Sequence, residues 1–229
     1  MASADKPAGG VGDRVREKIL DHAEELFAER GFFGASVRDI TEKAGVRLAA
    51  VNYHFGTKEE LFRDVVLRRA AVLNAARVER LEGAARAGTK EARTRAIAEA
   101  FVVPAVELAL TDAPFRNYFA LIAQVSNSRL WALSLVAEQF NAVALSFIAA
   151  FGRVFPRASK RALYYSYQFL VSSTLSALSD NLRLESLTKG ELSSRDFANL
   201  GEHLLTFVTA GIVATCHAAP RVSPKQARS

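Results

Sequence analysis

The most informative segment of the sequence is VRLAAVNYHFGTKEEL, residues 46–61. Gly45 precedes it, and Gly56 divides it into a short run of small and aromatic residues and an acidic run. Thr57 and Glu60 have the spacing of a capping box, which begins a helix. The short run is therefore predicted to be a helix over roughly 47–54, held between two glycine turns.

The residues before this stretch predict two more helices. Ser36 and Asp39 form another capping box, so the second helix begins there and ends at Gly45. The segment KAGVR, residues 43–47, then joins the two short helices as a helix-turn-helix. Apolar residues at steps of three and four predict a first helix over 14–30 that ends at Gly31: Val15, Ile19, Ala23, Leu26 and Phe27.

The outer face of the third helix has the composition of a recognition helix. This face is predicted to hold Arg47, Leu48, Ala49, Asn52, Tyr53 and His54, with Ala50 to one side. Alanines let a backbone approach the floor of a major groove about 12 Å wide, and Asn52 can both donate to and accept from a base edge. The other polar groups suit phosphates, as do Thr57 and Lys58 at the start of the next helix. Arg38 and Thr41 complete the predicted DNA-contacting set.

The same residues also fit a plainer interpretation. VNYHF, residues 51–55, has the composition of a small amphipathic helix in a bundle, with Tyr53 and His54 half-buried. Exposure of Arg47, Asn52 and Lys58 together favours DNA binding, and burial of Tyr53 and Asn52 favours the bundle.

Residues 19–62, ILDHAEELFAERGFFGASVRDITEKAGVRLAAVNYHFGTKEELF, resemble the TetR family of transcriptional repressors. Similar segments are Ala23–Phe32, Ser36–Thr41, Ala44–Val46 and Asn52–Leu61. The chain departs from the family where Arg47 replaces a polar cap and Asn52 an aromatic residue. NYHFG, residues 52–56, followed by Lys58, also resembles the fatty-acid-responsive regulators of the PsrA type. The resemblance implies an inducer-binding C-terminal half and a homodimer formed through the last two helices.

The rest of the chain predicts an all-α protein of about nine helices, because helical spacing continues and strand patterns are absent. Its predicted parts are a disordered arm (1–12), a helix-turn-helix DNA-binding domain (13–56), a helical-bundle ligand-binding and dimerisation domain (57–217) and a disordered tail (218–229). Pro104 is expected to kink or end its helix. Polar side chains within the apolar helices are candidates for a ligand pocket, or else lie on outer faces: Asn117, Arg129, Trp131, Asn141 and Gln168. Arg129 would pair with an anionic head group or, alternatively, extend into water.

Composition excludes several other classes. The single cysteine, Cys216, and four scattered histidines predict no disulfide, metal site or cofactor, and no catalytic motif points to an enzyme. The longest apolar run, residues 204–216, is shorter than the roughly 20 residues of a membrane span, so a cytoplasmic protein is expected. The net charge is +6, but residues 1–56 carry eight basic and nine acidic side chains, so DNA binding must depend on where the basic groups lie.

The prediction is therefore a homodimeric repressor that binds a palindromic operator in double-stranded DNA and is released by a small apolar or acyl-type inducer. The alternative is a helical-bundle lipid-binding protein or enzyme with no role on DNA.

Overall fold

A computed structural model describes residues 10–84, 86, 88–126 and 137–217, without the side chains of Val11 and residues 137–139. These residues form ten helices and no strand, which confirms the all-α prediction. The helices are α1 (Val11–Gly34), α2 (Val37–Ala44), α3 (Leu48–Phe55), α4 (Lys58–Gly83), α5 (Lys90–Thr111), α6 (Ala113–Ser126), α7 (Ala137–Val154), α8 (Lys160–Leu178), α9 (Arg183–Thr188) and α10 (Phe197–His217).

The helices divide into two compact units. The N-terminal unit contains the described residues up to Val72 and those from Asp112 to Ala137, and the C-terminal unit contains Leu73–Thr111 and the described residues from Glu138 onward. These bounds differ from the predicted division at residue 56. The reason is that α6 packs against α1, where the Gln124 side-chain amide donates to the Ala28 carbonyl at 3.2 Å.

The N-terminal unit packs its helices around the aromatic ring of Phe27. This ring is fully buried and meets Phe62 of α4 edge-on, with centroids 5.2 Å apart. Ile40 of α2 and Val51 and Phe55 of α3 are buried with it. The helix-turn-helix therefore packs on α1 through these apolar side chains.

The ends of α1 differ from the prediction. The helix begins at Val11, so it includes two residues of the predicted arm 1–12. At its other end the backbone leaves helical geometry at Gly31, with φ 70° and ψ 172°, and one further turn follows to Gly34. The predicted tail, residues 218–229, lies outside the described residues.

The C-terminal unit is built on α10, which packs against α5 and α8. Phe101 and Phe147 meet edge-on at 5.2 Å in its core. The α5 helix runs through the buried Pro104 rather than ending there. Because proline has no N–H, one helical hydrogen bond of α5 is absent at this turn, and next to it the buried Arg77 donates from Nε to the Phe101 carbonyl at 3.0 Å.

A short irregular segment separates α8 from α9. The α8 helix ends at Leu178 because Asp180 and Leu182 have φ values of 47° and 54°, which a continuing helix does not permit. In the connection to α10, Glu185 accepts a hydrogen bond from the Ser194 N–H at 2.7 Å.

The last helix is longer than the apolar run seen in the sequence. With 21 residues and a mean hydropathy of 1.3, α10 is the one helix of the described residues that has the length and composition of a membrane span. Core helices of soluble proteins share these properties, and Leu204, Leu205 and Val208 are buried in the core of the C-terminal unit. We therefore describe α10 as a core helix.

Candidate nucleic-acid interface

Both ends of α2 are fixed by local hydrogen bonds. Ser36 Oγ accepts from the Asp39 N–H and the Asp39 carboxylate accepts from the Ser36 N–H, each at 3.1 Å, as the capping box predicted. The hydrogen bond from the Ser36 hydroxyl, followed by that from its N–H, lowers the pKa of the Asp39 carboxyl. The acceptor is therefore ionised at neutral pH and the start of α2 is well defined.

The turn between α2 and α3 depends on a glycine. Gly45 has φ 62° and ψ 38°, in the left-handed region. Its N–H donates to the Glu42 carbonyl at 3.1 Å, and the Val46 N–H donates to the Thr41 carbonyl at 3.0 Å. These two hydrogen bonds form a Schellman motif, which ends α2 and turns the chain directly into α3.

The α3 helix has one buried and one exposed face. Val51 and Phe55 are 1% and 6% exposed and pack into the N-terminal unit. Tyr53, by contrast, is 85% exposed and Leu48 is 53% exposed. Arg47, Ala49 and Asn52 are exposed as well, and Ala50 and His54 are half-buried.

His54 joins the exposed face to the start of α1. Its ring meets the Tyr53 ring edge-on, with centroids 5.0 Å apart. A Cβ atom at Gly12 would lie 3.9 Å from His54 Cε1, so the first turn of α1 passes beside this ring. Gly12 is thus a neighbour of the candidate interface that no sequence motif had indicated.

The start of α4 has the predicted capping box. The Thr57 N–H donates to the Glu60 carboxylate at 3.0 Å, and the Glu60 N–H donates to Thr57 Oγ1 at 3.1 Å. The Thr57 N–H therefore already has an anionic acceptor, which makes it a poor phosphate donor. Lys58 is half-buried, with Nζ 4.5 Å from the centroid of the Phe32 ring.

The two predicted contacts from α2 have opposite environments. The Arg38 side chain is 83% exposed, and its Nε donates to Glu42 at 3.1 Å. Thr41 is only 3% exposed, and its hydroxyl donates to the Arg38 carbonyl at 2.9 Å. The structure corrects the prediction for Thr41, because a buried hydroxyl that already has an acceptor packs in the core and cannot reach DNA.

The structure describes three of the five predicted ligand-binding residues. Arg129 and Trp131 lie outside the described residues. Asn117 is on α6 of the N-terminal unit, whereas Asn141 and Gln168 are exposed on α7 and α8 of the C-terminal unit. Gln168 donates to Ser172 of its own helix at 3.3 Å. Asn141 and Gln168 thus lie on outer helix faces, which is the alternative given above to a place in a ligand pocket.

A cleft of about 740 Å³ lies elsewhere in the C-terminal unit, between the end of α4, the first turns of α5 and the second half of α7. It is lined by Val78, Leu81, Glu82, Ala84, Arg86, Arg93, Ile97, Ser146, Ala149, Ala150, Arg153 and Val154. We call this the α4–α5–α7 cleft. No sequence motif had indicated this cleft, because surface arginines at helical spacing resemble any solvated helix face.

A second feature is an exposed aromatic surface on α8 and α10. Tyr165, Phe169 and Phe207 are 55%, 59% and 71% exposed. Between Phe169 and Phe207 lies a groove of about 220 Å³ whose floor includes Leu170 and Ile212. We call this the α8–α10 face.

In the described part of the chain, no group of three His, Cys, Asp or Glu side chains is placed to hold a metal ion.

Family models match both parts of the chain. One described as bacterial regulatory proteins of the tetR family matches residues 19–65, and one described as the tetracyclin repressor-like C-terminal domain matches residues 99–211. Together they include α2, α3 and most of the helices of both compact units.

Individual relatives are similar over a shorter range. The HTH-type transcriptional repressor AcnR of Corynebacterium efficiens is 39% identical over 71 residues, which are 31% of this chain and 35% of AcnR. KstR2, an HTH-type transcriptional repressor of Mycobacterium tuberculosis, is 39% identical over 62 residues, 27% of this chain and 30% of KstR2. The matched region thus spans about a third of the length of these curated relatives.

Among solved structures, NalD of Pseudomonas aeruginosa, the secondary repressor of the MexAB-OprM multidrug efflux pump, is similar along most of the chain. It is 25% identical with a TM-score of 0.61, and the match covers 88% of this chain and 97% of NalD.

Proposed function

The chain belongs to the TetR family of transcriptional regulators, and on that premise we propose that it is a homodimeric repressor that places α3 in the major groove of a palindromic operator. AcnR, KstR2 and NalD are each named as repressors, which supports the negative sense of regulation. A repressor of this kind acts in the cytoplasm, where the DNA is.

The single observation that carries the proposal is the exposed face of α3. Tyr53 leaves 85% of its surface in water, and the polar Asn52 and Arg47 are exposed beside it. Exposed Tyr and Arg side chains are enriched at binding interfaces, and a helix face with small side chains fits the major groove of DNA. In this arrangement Asn52 reads a base edge, and Arg47, Arg38 and Tyr53 contact phosphates.

The α8–α10 face supports the homodimer. Exposed aromatic residues at the surface of a soluble protein are costly in water and are typical of interfaces. A two-fold axis through this face would place Phe169 and Phe207 against the same groove of the second copy. Dimerisation then sets the separation of the two α3 helices, which must match half-sites about 34–36 Å apart.

Control by a small molecule follows from two conformations of the dimer. The ligand binds the C-terminal unit and favours the conformation in which the α3 helices no longer match the half-site spacing. An apolar or acyl-type inducer is consistent with the composition of the C-terminal helices. The relatives are named as regulators rather than enzymes, and the exposure of Asn52 and Tyr53 is opposite to what a bundle without a DNA role requires.

Selection from a library of random DNA duplexes tests the proposal. The full-length protein should enrich an inverted repeat whose half-site centres are about one helical turn apart. A library that shows no enriched sequence after repeated selection would contradict a sequence-specific repressor.

A further inference from the structure

The α4–α5–α7 cleft has an apolar floor. Ile97 of α5 and Ala150 and Val154 of α7 line it and are 6%, 3% and 3% exposed. Val78 and Leu81, one turn apart on α4, complete the apolar lining. A ligand with an apolar body would therefore bury hydrocarbon against hydrocarbon in this cleft.

The rim of the cleft is cationic. Arg93 lies one turn before Ile97 on α5, and Arg153 lies next to Val154 on α7. Arg86 lies in the α4–α5 connection. The lining contains one acidic residue, Glu82. Three guanidinium groups around one small cleft repel each other, so their arrangement favours an anion between them.

These arginines differ from their neighbours on the same helices. Arg80 of α4 pairs with Glu107 at 2.6 Å, and Arg95 of α5 pairs with Glu99 at 2.9 Å. In the portion of the chain that the structure describes, Arg86, Arg93 and Arg153 have no carboxylate within the 4.0 Å of an ion pair. Their planar guanidinium groups thus remain available to bind phosphate or paired carboxylates in a bidentate manner.

We propose that the α4–α5–α7 cleft binds a small amphipathic dianion, with a phosphate head held by Arg93 and Arg153 and an apolar body against Ile97, Ala150 and Val154. Three arginines and one glutamate leave an excess of two positive charges, which a dianionic head neutralises. A neutral lipid would leave the guanidinium groups unpaired, and inorganic phosphate would leave the apolar floor empty.

This inference rests on the proposed function, because it names the chemical class of the effector. The α4 helix contributes to the cleft at its C-terminal end and begins at Lys58, directly after α3 and its glycine turn. A ligand in this cleft would therefore contact the same helix that begins directly after the DNA-reading segment.

Titration calorimetry on the full-length protein without DNA tests the site, with dodecyl phosphate below its micelle concentration as the probe. We expect one dodecyl phosphate per chain, with dodecanol and inorganic phosphate each at least tenfold weaker. Arg93→Gln and Arg153→Gln should each weaken dodecyl phosphate by about tenfold to a hundredfold, the effect of one charge-assisted hydrogen bond. Ala149→Phe, which fills the cleft from α7 without changing its charge, should remove binding. Arg161→Gln, at an exposed position of α8 outside the cleft, is the matched control and should bind as the parent does.

Equal affinity for dodecyl phosphate and dodecanol, or equal weakening by Arg161→Gln and Arg153→Gln, would overturn the proposal. Because the titration contains no DNA, its result is independent of operator binding. A protein that selects no operator yet binds dodecyl phosphate through Arg93 and Arg153 would contradict the proposed function and support the site.

Discussion

The carboxylate of Glu24 on α1 lies 2.6 Å from Nη2 of Arg68 on α4, and it is only 2% exposed. The same carboxylate accepts from Arg69 Nε at 3.0 Å, and Arg68 also contacts Asp21 at 2.8 Å. Burial disfavours the charged Arg68, but the hydrogen bonds to Asp21 and Glu24 outweigh it and raise the pKa of the guanidinium. This network attaches α1, which carries the helix-turn-helix, to the first half of α4.

Removal of the Glu24 charge should therefore make the protein less stable to unfolding. Glu24→Gln leaves two guanidinium groups beside a neutral amide, so we expect the free energy of unfolding to fall by about 3 kcal/mol. Glu17→Gln is the matched control, because Glu17 also contacts Arg68 but its side chain is 55% exposed. Glu17→Gln should lower the free energy of unfolding by less than about 1 kcal/mol. Urea denaturation measures both, and equal losses would show that burial of Glu24 contributes nothing.

The turn between α3 and α4 should not accept a side chain. Gly56 has φ 76°, and a Cβ atom there would lie 2.5 Å from Glu60 Oε2, which caps α4. Gly56→Ala should therefore destabilise the protein by about 2 kcal/mol, through strain and loss of the capping box. Gly83→Ala serves as the control, since nothing lies within 4 Å of its Cβ position. Gly83→Ala should leave the free energy of unfolding unchanged or raise it by up to about 1 kcal/mol, as measured by thermal or urea unfolding. A Gly56→Ala protein as stable as the parent would refute the strained turn.

Much of the helix-turn-helix could be predicted because its determinants are local. Ser36 with Asp39, Gly45, and Thr57 with Glu60 fix the helix ends through contacts within four residues, and all three occur in the structure. The burial of a side chain depends instead on contacts between helices that are distant in the sequence. Thr41 was wrongly placed on the DNA-facing surface because its exposure depends on how α2 packs on the rest of the unit.

The ligand site could not be predicted for the same reason. Arg93 and Arg153 are 60 positions apart, and only the packing of α5 and α7 brings them to one cleft. Arg129 stood out in the sequence as a cation within an apolar stretch, and it lies outside the described residues. Likewise, Glu24 and Arg68 are 44 positions apart in the sequence, and the positions of the charged residues do not show which pairs are buried.

The α8–α10 face should hold the dimer together. Phe207→Glu puts a charge on a residue of this face that is 71% exposed in the single chain. Charges are disfavoured at the centre of an interface, so we expect a monomer by sedimentation and at least tenfold weaker binding to the selected operator. Phe33→Glu, at a phenylalanine of the N-terminal unit that is 79% exposed, should leave the dimer unchanged. A dimeric Phe207→Glu protein would place the interface elsewhere.

Arg47 and Lys58 should both contribute to binding at all DNA sequences. Arg47→Ala is expected to reduce the slope of log affinity against log salt concentration by about 0.9 per half-site. It should leave the free energy of unfolding unchanged, since Arg47 is exposed and makes no side-chain hydrogen bond to cap α3.

Lys58→Ala should reduce the same slope by a similar amount and also lower the free energy of unfolding by about 0.5–1 kcal/mol, because its ammonium lies over the Phe32 ring. An unchanged slope with weaker binding would mean that Lys58 supports the fold and not a phosphate.

The most direct test of the central claim, that the exposed face of α3 reads DNA, is to sequence the duplexes that the parent and Asn52→Ala proteins select. Asn52 is exposed mid-helix beside Tyr53, and loss of its amide should cost about 1–3 kcal/mol on the parent operator. Asn141→Ala, at an exposed asparagine of α7, should select the parent motif. We expect the Asn52→Ala motif to lose its base preference at one position in each half-site and to keep it at the others. Identical motifs from the parent and Asn52→Ala proteins at every position would contradict it.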